Sequence, residues 1–144
     1  MRCKPWLTAC CSLLLFACAT AAEPLLTATL VVGSPKLKRA LELKGLDYTI
    51  TVTRVGLDGK PAMTKTSGTL DKGEYRRLLE HFNALDLAAF KELYTGRDLD
   101  RTGRTTTVRV SCKGATRTVT IIGPPPPEAG PLLDPLLPLL DRTW

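Results

Sequence analysis

The stretch TTTVRVSCKGATRTVTII, residues 105–122, contains two runs of eight residues on either side of the dipeptide Lys113-Gly114. Polar and apolar side chains alternate along both runs, which is typical of β-strands with one buried face. A Lys-Gly pair between such runs predicts a hairpin with a two-residue turn. Counting outward from the turn predicts four cross-strand pairs: Cys112 with Ala115, Val110 with Arg117, Val108 with Val119, and Thr106 with Ile121.

This register predicts that the hairpin has one apolar face and one wet face. The apolar side chains share one side: Val108, Val110, Cys112, Val119 and Ile121. The other side carries almost only Thr, Ser and Arg, as in an antiparallel sheet whose second face meets water. The hairpin therefore predicts a sheet with a core on one side only.

Two stretches upstream predict further strands of the same sheet. Residues 25–32 form an apolar and Thr-rich run that a Gly-Ser-Pro triplet closes. Apolar residues alternate with polar ones over 46–53, and an Asp-Gly turn at 58–59 returns the chain over 62–66. Between the first two stretches we expect a loop whose charges at 36–39 are solvated.

A helix is predicted to begin after Asp71. The carboxylate of Asp71 can accept a hydrogen bond from the first turn, and Glu74 completes the pattern of a capping box. Apolar residues then recur at helical spacing: Tyr75, Leu78, Leu79, Phe82 and Leu85. They form the stripe with which a helix packs on a sheet.

Two shorter helical segments follow. Asp86 is expected to cap a short turn that directs Leu87, Phe90 and Leu93 inward. After a proline-rich connector, the chain is expected to end in a helix capped by Asp134. The element order predicts one α+β domain over residues 25–144, an antiparallel sheet of about four to five strands with two helices packed on one face.

A set of landmarks runs through this layout: Tyr48-x-Ile50-x-Val52, Asp58-Gly59, the helix over 70–82, Phe90-x-x-Leu93-Tyr94, Asp98 or Asp100, the Lys113-Gly114 hairpin and a proline-led terminal helix. This set resembles a family of small exported bacterial domains and lipoproteins of uncharacterised function. The layout is also loosely similar to emfourin-type inhibitors of thermolysin-like metalloproteases. The first resemblance implies a fold and no activity, whereas the second implies that the domain inhibits an exported protease.

Residues 1–17 are typical of a signal peptide, with two basic residues before an apolar run. The tetrapeptide at 15–18 resembles a bacterial lipobox, which implies cleavage before Cys18 and attachment of lipid to its sulfur. Residues 18–24 are then the lipidated cysteine and a tether, and the protein is an extracytoplasmic, membrane-anchored lipoprotein that faces the periplasm or the cell surface. The alternative is cleavage after Ala21, which gives a soluble secreted or periplasmic protein.

The rest of the chain offers few reactive side chains. His81 is the only histidine, and Cys112 is the only cysteine beyond Cys18. A metal site needs three or four ligands and a nucleophile needs a base within reach, so we expect no catalytic residues, no metal site and no cofactor. The net charge of +6 comes from scattered basic residues, and export adds to our expectation of no nucleic-acid partner.

The longest polar loop is predicted to carry a binding surface, because binding residues concentrate on loops. Its candidate contact residues are Tyr94, Arg97, Asp98, Asp100, Arg101 and Arg104. Among them, Tyr94 is the expected aromatic anchor.

Together these observations predict an exported, lipid-anchored, noncatalytic binding or accessory module of the bacterial envelope, with inhibitor-like action as one form of it. Its expected partners are the lipid bilayer, through the anchor, and an exported protein such as a protease. Two alternatives stay open. One is a hydrolase-like enzyme that uses carboxylates such as Asp98 and Asp100, and the other is a purely structural envelope protein.

Overall fold

The computed structural model describes residues 25–95 and 103–143. In these ranges the chain forms seven strands: β1 Thr27–Gly33, β2 Leu37–Lys44, β3 Asp47–Val55, β4 Pro61–Thr69, β5 Leu93–Thr95, β6 Thr105–Cys112 and β7 Ala115–Ile122. It also forms three α-helices: α1 Lys72–Ala84, α2 Gly130–Leu133 and α3 Leu137–Leu140. Single 3-10 turns lie at Leu87–Ala89, Pro127–Ala129 and Asp141–Thr143.

All these strands belong to one mixed sheet, in the order β4-β3-β2-β1-β6-β7-β5. Neighbouring strands are antiparallel except β5, which runs parallel to β7. The predicted hairpin register is confirmed at all four pairs, beginning with Cys112 opposite Ala115. Lys113 and Gly114 have φ angles of 50° and 77°, the left-handed conformation that such a tight turn requires.

The predicted sheet of four to five antiparallel strands with two helices on one face is wrong. The expected charged loop is largely strand β2, which lies between β1 and β3. Leu41 and Leu43 are buried, but Arg39 interrupts the apolar alternation, and three of the four positions on the opposite side carry Lys or Glu. The Arg39 side chain is held by the C-terminal segment, because its Nη2 donates a hydrogen bond to the carbonyl oxygen of Leu140 at 2.9 Å.

The segment after α1 agrees with the prediction at its start and departs from it at its end. Asp86 caps the 3-10 turn as expected, and Leu87 is buried. Leu93, which was expected to face inward, is 53% exposed, whereas Tyr94 packs against the core. These residues form β5, whose three residues are too few to show a periodic pattern in the sequence.

The predicted terminal helix is also wrong in form. The backbone N–H of Asp134 donates to the carbonyl oxygen of Gly130 at 2.8 Å, so Asp134 ends α2 and does not cap a helix after it. Pro135 and Pro138 lack backbone donors and interrupt a continuous hydrogen-bond ladder. The chain therefore forms two helices of four residues, with a turn between them.

Helix α1 confirms the capping-box prediction. Asp71 Oδ1 accepts a hydrogen bond from the backbone N–H of Glu74 at 2.8 Å, and the Glu74 carboxylate accepts one from the N–H of Asp71 at 3.4 Å. Leu78 and Phe82 bury the apolar stripe of the helix. The cap thus begins the helix where its stripe can lie on the sheet.

The core lies on one face of the sheet, under α1 and the C-terminal segment. Its largest fully buried side chains come from both layers: Leu26, Leu30, Leu41, Ile50, Phe82, Val108, Val110, Val119, Ile121, Leu132, Leu136 and Leu140. Together with their buried neighbours they form one cluster. The buried residues of the described ranges therefore form a single core.

The other face, which we call the open face, carries the alternate side chains of the strands. About half of them bear hydroxyl groups: Thr27, Thr29, Thr49, Thr51, Thr53, Ser67, Thr69, Thr105, Thr107, Ser111, Thr116, Thr118 and Thr120. Some of them pair across strands, as Thr116 Oγ1 donates to Ser111 Oγ at 2.9 Å. The wet face predicted from the hairpin thus extends across the sheet.

Candidate functional site

The loops at one end of the sheet form the surface that is best placed for binding. We call this the distal end: there β1, β3, β5 and β7 finish, and β2, β4 and β6 begin. Its described loops are residues 34–36, 56–60 and 103–104. The chain enters β1 at the opposite end, through Leu25 and Leu26.

The turn between β1 and β2 packs closely against the loop that precedes β6. The N–H of Ser34 donates to the carbonyl oxygen of Leu37 at 2.8 Å. A Cβ atom on Gly33 would lie 3.2 Å from that same oxygen, so a side chain fits poorly there. A Cβ atom on Gly103 would lie 3.6 Å from Pro35 Cδ, which shows how near the loop before β6 comes to the turn. The packing brings Arg104 beside the β1–β2 turn.

The turn between β3 and β4 presents the most exposed apolar side chain of the distal end. The N–H of Gly56 donates to the carbonyl oxygen of Lys60 at 3.0 Å, and Asp58 Oδ1 accepts from the N–H of Lys60 at 3.1 Å. Gly59 has a φ of 75°, the conformation that the Asp-Gly pair predicts. Leu57 is fully exposed at the tip. A fixed turn therefore projects an apolar side chain into solvent.

Two open cavities flank the β1–β2 turn, one on each face of the sheet. The first has a volume of about 290 Å³ and is lined by Val32, Gly33, Ser34, Leu37, Arg39 and Arg104. The second has a volume of about 330 Å³ and is lined by Val31, Gly33, Ser34, Pro35, Lys38, Gly103, Thr105 and Thr107. Both cavities carry basic side chains on their rims.

Basic groups dominate the described loops of the distal end. Lys36, Lys60 and Arg104 are exposed cations, whereas Asp58 is the single carboxylate on these loop residues. Arg39 lies behind the turn, with its charge paired to Asp141 at 2.5 Å. A surface with this balance attracts acidic partners and steers their approach.

The structure describes two of the predicted contact residues. Tyr94 is half-buried, and its hydroxyl accepts a hydrogen bond from the N–H of Lys91 at 3.1 Å. The Lys91 Nζ atom lies 6.0 Å from the centroid of the tyrosine ring. Arg104 is exposed at the distal end, and its carbonyl oxygen accepts from the N–H of Gly123 at 3.0 Å. The role of Tyr94 as an aromatic anchor stays a prediction.

The other predicted elements lie outside the described residues: Arg97, Asp98, Asp100 and Arg101 of the loop, Cys18 with the tether over 18–24, and the signal peptide over 1–17. Their assignments stay predictions.

The single cysteine of the described ranges lies away from the distal end. Cys112 is buried, and its Sγ donates a hydrogen bond to Asn83 Oδ1 at 2.7 Å. Burial raises the pKa of the Cys112 thiol, and the nearby charge of Lys113 partly opposes this. The thiol thus packs as part of the core, which is what the sequence pattern predicts.

His81 joins α1 to the C-terminal segment. Its Nε2 atom lies 2.7 Å from the carbonyl oxygen of Pro131, so this nitrogen must carry the proton of the hydrogen bond. The imidazole also packs edge-on against Phe82, with ring centroids 5.3 Å apart. Beside it, Glu74 binds Arg142, and this hydrogen bond raises the pKa of the guanidinium group. The contacts give His81 a structural position between two elements.

Strand β4 is a second exposed surface, at one edge of the sheet. Eight of its nine residues are exposed. Sequence reasoning found a strand here and missed that it is an edge. The signal is Pro61 at its start, followed by the small or polar residues Ala62, Thr64, Thr66 and Gly68 on the core side.

Comparison with family models gives no match to this chain, and comparison with curated proteins gives no match either. Among residues 25–95 and 103–143, no group of three or more His, Cys, Asp or Glu side chains is arranged to bind a metal ion. No helix in those ranges is long and apolar enough to cross a membrane.

Proposed function

We propose that this protein is an exported, lipid-anchored, noncatalytic binding module of the bacterial envelope, and that its distal end contacts an acidic surface of an exported protein. A protease is one partner of this kind, in line with the resemblance to protease inhibitors. The bilayer is the second partner, through lipid on Cys18.

The observation that supports the proposal is that the described chain enters the sheet through Leu25, at the end opposite to the basic distal loops. Cys18 and Leu25 are seven residues apart, so an extended tether spans at most about 25 Å. Strand β3 has nine residues and is about 30 Å long. A chain held by Cys18 is therefore attached at one end of the sheet, and its basic loops lie about a strand length away from the attachment.

The chemistry of the distal end supports contact with a protein. Leu57 provides an exposed apolar side chain on a fixed turn that also carries Lys60, and Lys36 and Arg104 add positive charge on the other described loops of the distal end. Interfaces combine a desolvated apolar centre with a polar rim that sets the approach. The distal end has both parts.

The anchor is tested by metabolic labelling of the chain with a fatty acid in a bacterial host. Cys18→Ser is expected to remove the label and to release the chain from the membrane fraction. Cys112→Ser is the matched control and keeps both properties, because Cys112 is buried in the domain. A Cys18→Ser chain that still carries lipid would contradict the anchor.

The contact surface is tested by placing a photoreactive amino acid at Leu57, and separately at Lys44 at the opposite end of the sheet. Both positions are exposed. We expect irradiation of intact cells to join the Leu57 variant to one defined exported protein, and the Lys44 variant to none. Equal adducts from both positions, or none from Leu57, would contradict a distal contact surface.

A further inference from the structure

We propose that the outer edge of β4 binds an extended segment of a partner protein that has an acidic residue opposite Lys65, and that this segment adds to the described sheet as a further, antiparallel strand. This inference rests on the proposed function, since it assumes a binding module. It uses a different surface, so that the two proposals can fail separately.

The hydrogen-bond pattern of the β3–β4 pair shows which backbone groups of β4 point away from β3. The N–H of Leu70 donates to the carbonyl oxygen of Leu46 at 2.8 Å, and the N–H of Gly56 donates to that of Lys60 at 3.0 Å. Bonded and non-bonded pairs alternate in an antiparallel ladder, so the even-numbered residues of β4 bond to β3. The outward groups therefore belong to the odd-numbered residues: Pro61, Met63, Lys65, Ser67 and Thr69.

This edge is long, and no other strand of residues 25–95 and 103–143 pairs with it. Strand β4 keeps a regular register with β3 along nine residues, without a bulge that would twist its edge away. The sheet ends on its other side in β5, which has only three residues. Pro61 occupies an outward position, where its missing N–H costs no bond to β3. Four outward N–H groups remain for a further strand.

Lysine 65 selects against a second copy of the chain as that strand. Two β4 strands in full antiparallel overlap would place Lys65 of one copy opposite Lys65 of the other. Like charges in directly opposed positions are destabilising, and lysine is a common guard against pairing of edge strands. An acidic residue of the incoming strand, placed opposite Lys65, is instead attracted to the lysine.

The side chains of β4 specify the rest of the incoming strand. Met63 is 71% exposed on the open face, so an apolar residue opposite it gains burial. Ser67 and Thr69 favour Thr at the opposed positions, as in the cross-strand hydroxyl pairs already present on this face. These requirements give a nonapeptide such as TVTTETVTT. It runs antiparallel to β4, with its first residue opposite Thr69, its Glu opposite Lys65 and its last residue opposite Pro61.

The test is fluorescence anisotropy of this labelled peptide with the full chain in a mild detergent. The control peptide TVTTKTVTT replaces the central Glu by Lys. We expect the Glu peptide to bind about three to ten times more tightly, because one opposite-charge pair replaces one like-charge pair. Lys65→Glu is expected to reverse the preference. Failure of both peptides to bind, or a preference that Lys65→Glu leaves unchanged, would overturn the proposal.

A second pair of variants separates backbone pairing from side-chain attraction. Ser67→Pro removes an outward N–H and leaves the bonds to β3 intact, whereas Ser67→Val keeps that N–H. We expect Ser67→Pro to abolish binding of the Glu peptide and Ser67→Val to retain it. Equal binding by both variants would overturn strand addition. A dimer of the unliganded chain that Ser67→Pro disperses would also overturn it, because a second copy would then occupy the edge.

The outcome is independent of the distal contact. Loss of peptide binding while photo-adducts from Leu57 persist would reject the β4 edge alone. Peptide binding without such adducts would reject the distal contact surface and leave the edge proposal standing.

Discussion

Strands β1 and β4 lie in the same sheet and differ in almost every physical respect. Strand β1, TATLVVG, has a neighbour on both sides and directs Ala28 and Leu30 into the core. Strand β4, PAMTKTSGT, has one neighbour among the described strands, and most of its side chains reach solvent. The comparison teaches that position in the sheet decides whether a strand mainly stabilises the fold or offers unpaired groups to a partner.

The largest expected effect is on the stability contributed by the central strand. Leu30 is fully buried, so Leu30→Ala is expected to lower the free energy of unfolding by about 2–5 kcal/mol. Met63→Ala removes a side chain of similar size from β4, where Met63 is mostly exposed. This change is expected to alter the free energy of unfolding by less than about 0.5 kcal/mol. Urea unfolding followed by circular dichroism measures both. Similar losses in the two variants would show that β4 contributes to the core as β1 does.

A smaller effect is expected at the one place where β4 is packed closely. A Cβ atom on Gly68 would overlap the hydroxyl oxygen of Tyr48, so Gly68→Ala forces the ring to move. Overpacking of this kind costs about 1–3 kcal/mol. The same change in a Tyr48→Ala background is expected to cost much less. A double-mutant cycle measures the difference, and additive losses would mean that the ring does not limit residue 68.

The helix that covers the core face gives the next effect. Asp71→Ala removes the cap of α1 and is expected to lower the free energy of unfolding by about 1 kcal/mol. Asp86→Ala is the comparison, since it removes the cap of a 3-10 turn of three residues and is expected to cost less. Thermal unfolding of both variants checks the order. A reversed order would mean that α1 does not depend on its capping box.

The smallest expected effect is a dependence of stability on pH, which the buried thiol of Cys112 causes. Because burial raises the pKa of Cys112 in the folded state, the unfolded chain loses this proton first as the pH rises above about 8.5. The contribution of the buried thiol to the free energy of unfolding is fully present below that pH and declines above it. We expect the urea midpoint of the native chain to fall more steeply between about pH 8 and 10 than that of Cys112→Ser. Parallel profiles would contradict this.

The sequence predicted the elements whose signals are local. The Lys113-Gly114 turn determined the β6–β7 register, and Asp71 with Glu74 marked the start of α1, because turn geometry and caps depend on adjacent residues. The buried thiol of Cys112 followed from the same alternation.

The missed features depend on contacts between distant residues. The charge of Arg39 is held by Leu140 and Asp141, about a hundred residues away, so β2 looked like a solvated loop. β5 forms through parallel pairing with β7, which has no local signal. The proline-interrupted end packs as short turns and not as one helix. For the same reason, the free edge of β4 could not be predicted without the strand order.

Amide hydrogen exchange along β4, resolved by residue with NMR, tests most directly the claim that this strand has one paired and one free side. We predict slow exchange at Thr64, Thr66 and Gly68, which bond to β3, and fast exchange at Met63, Lys65 and Ser67, which point outward. Addition of the Glu peptide is expected to slow the second group alone. Equally fast exchange at all six residues, or protection of the outward group without peptide, would contradict the account.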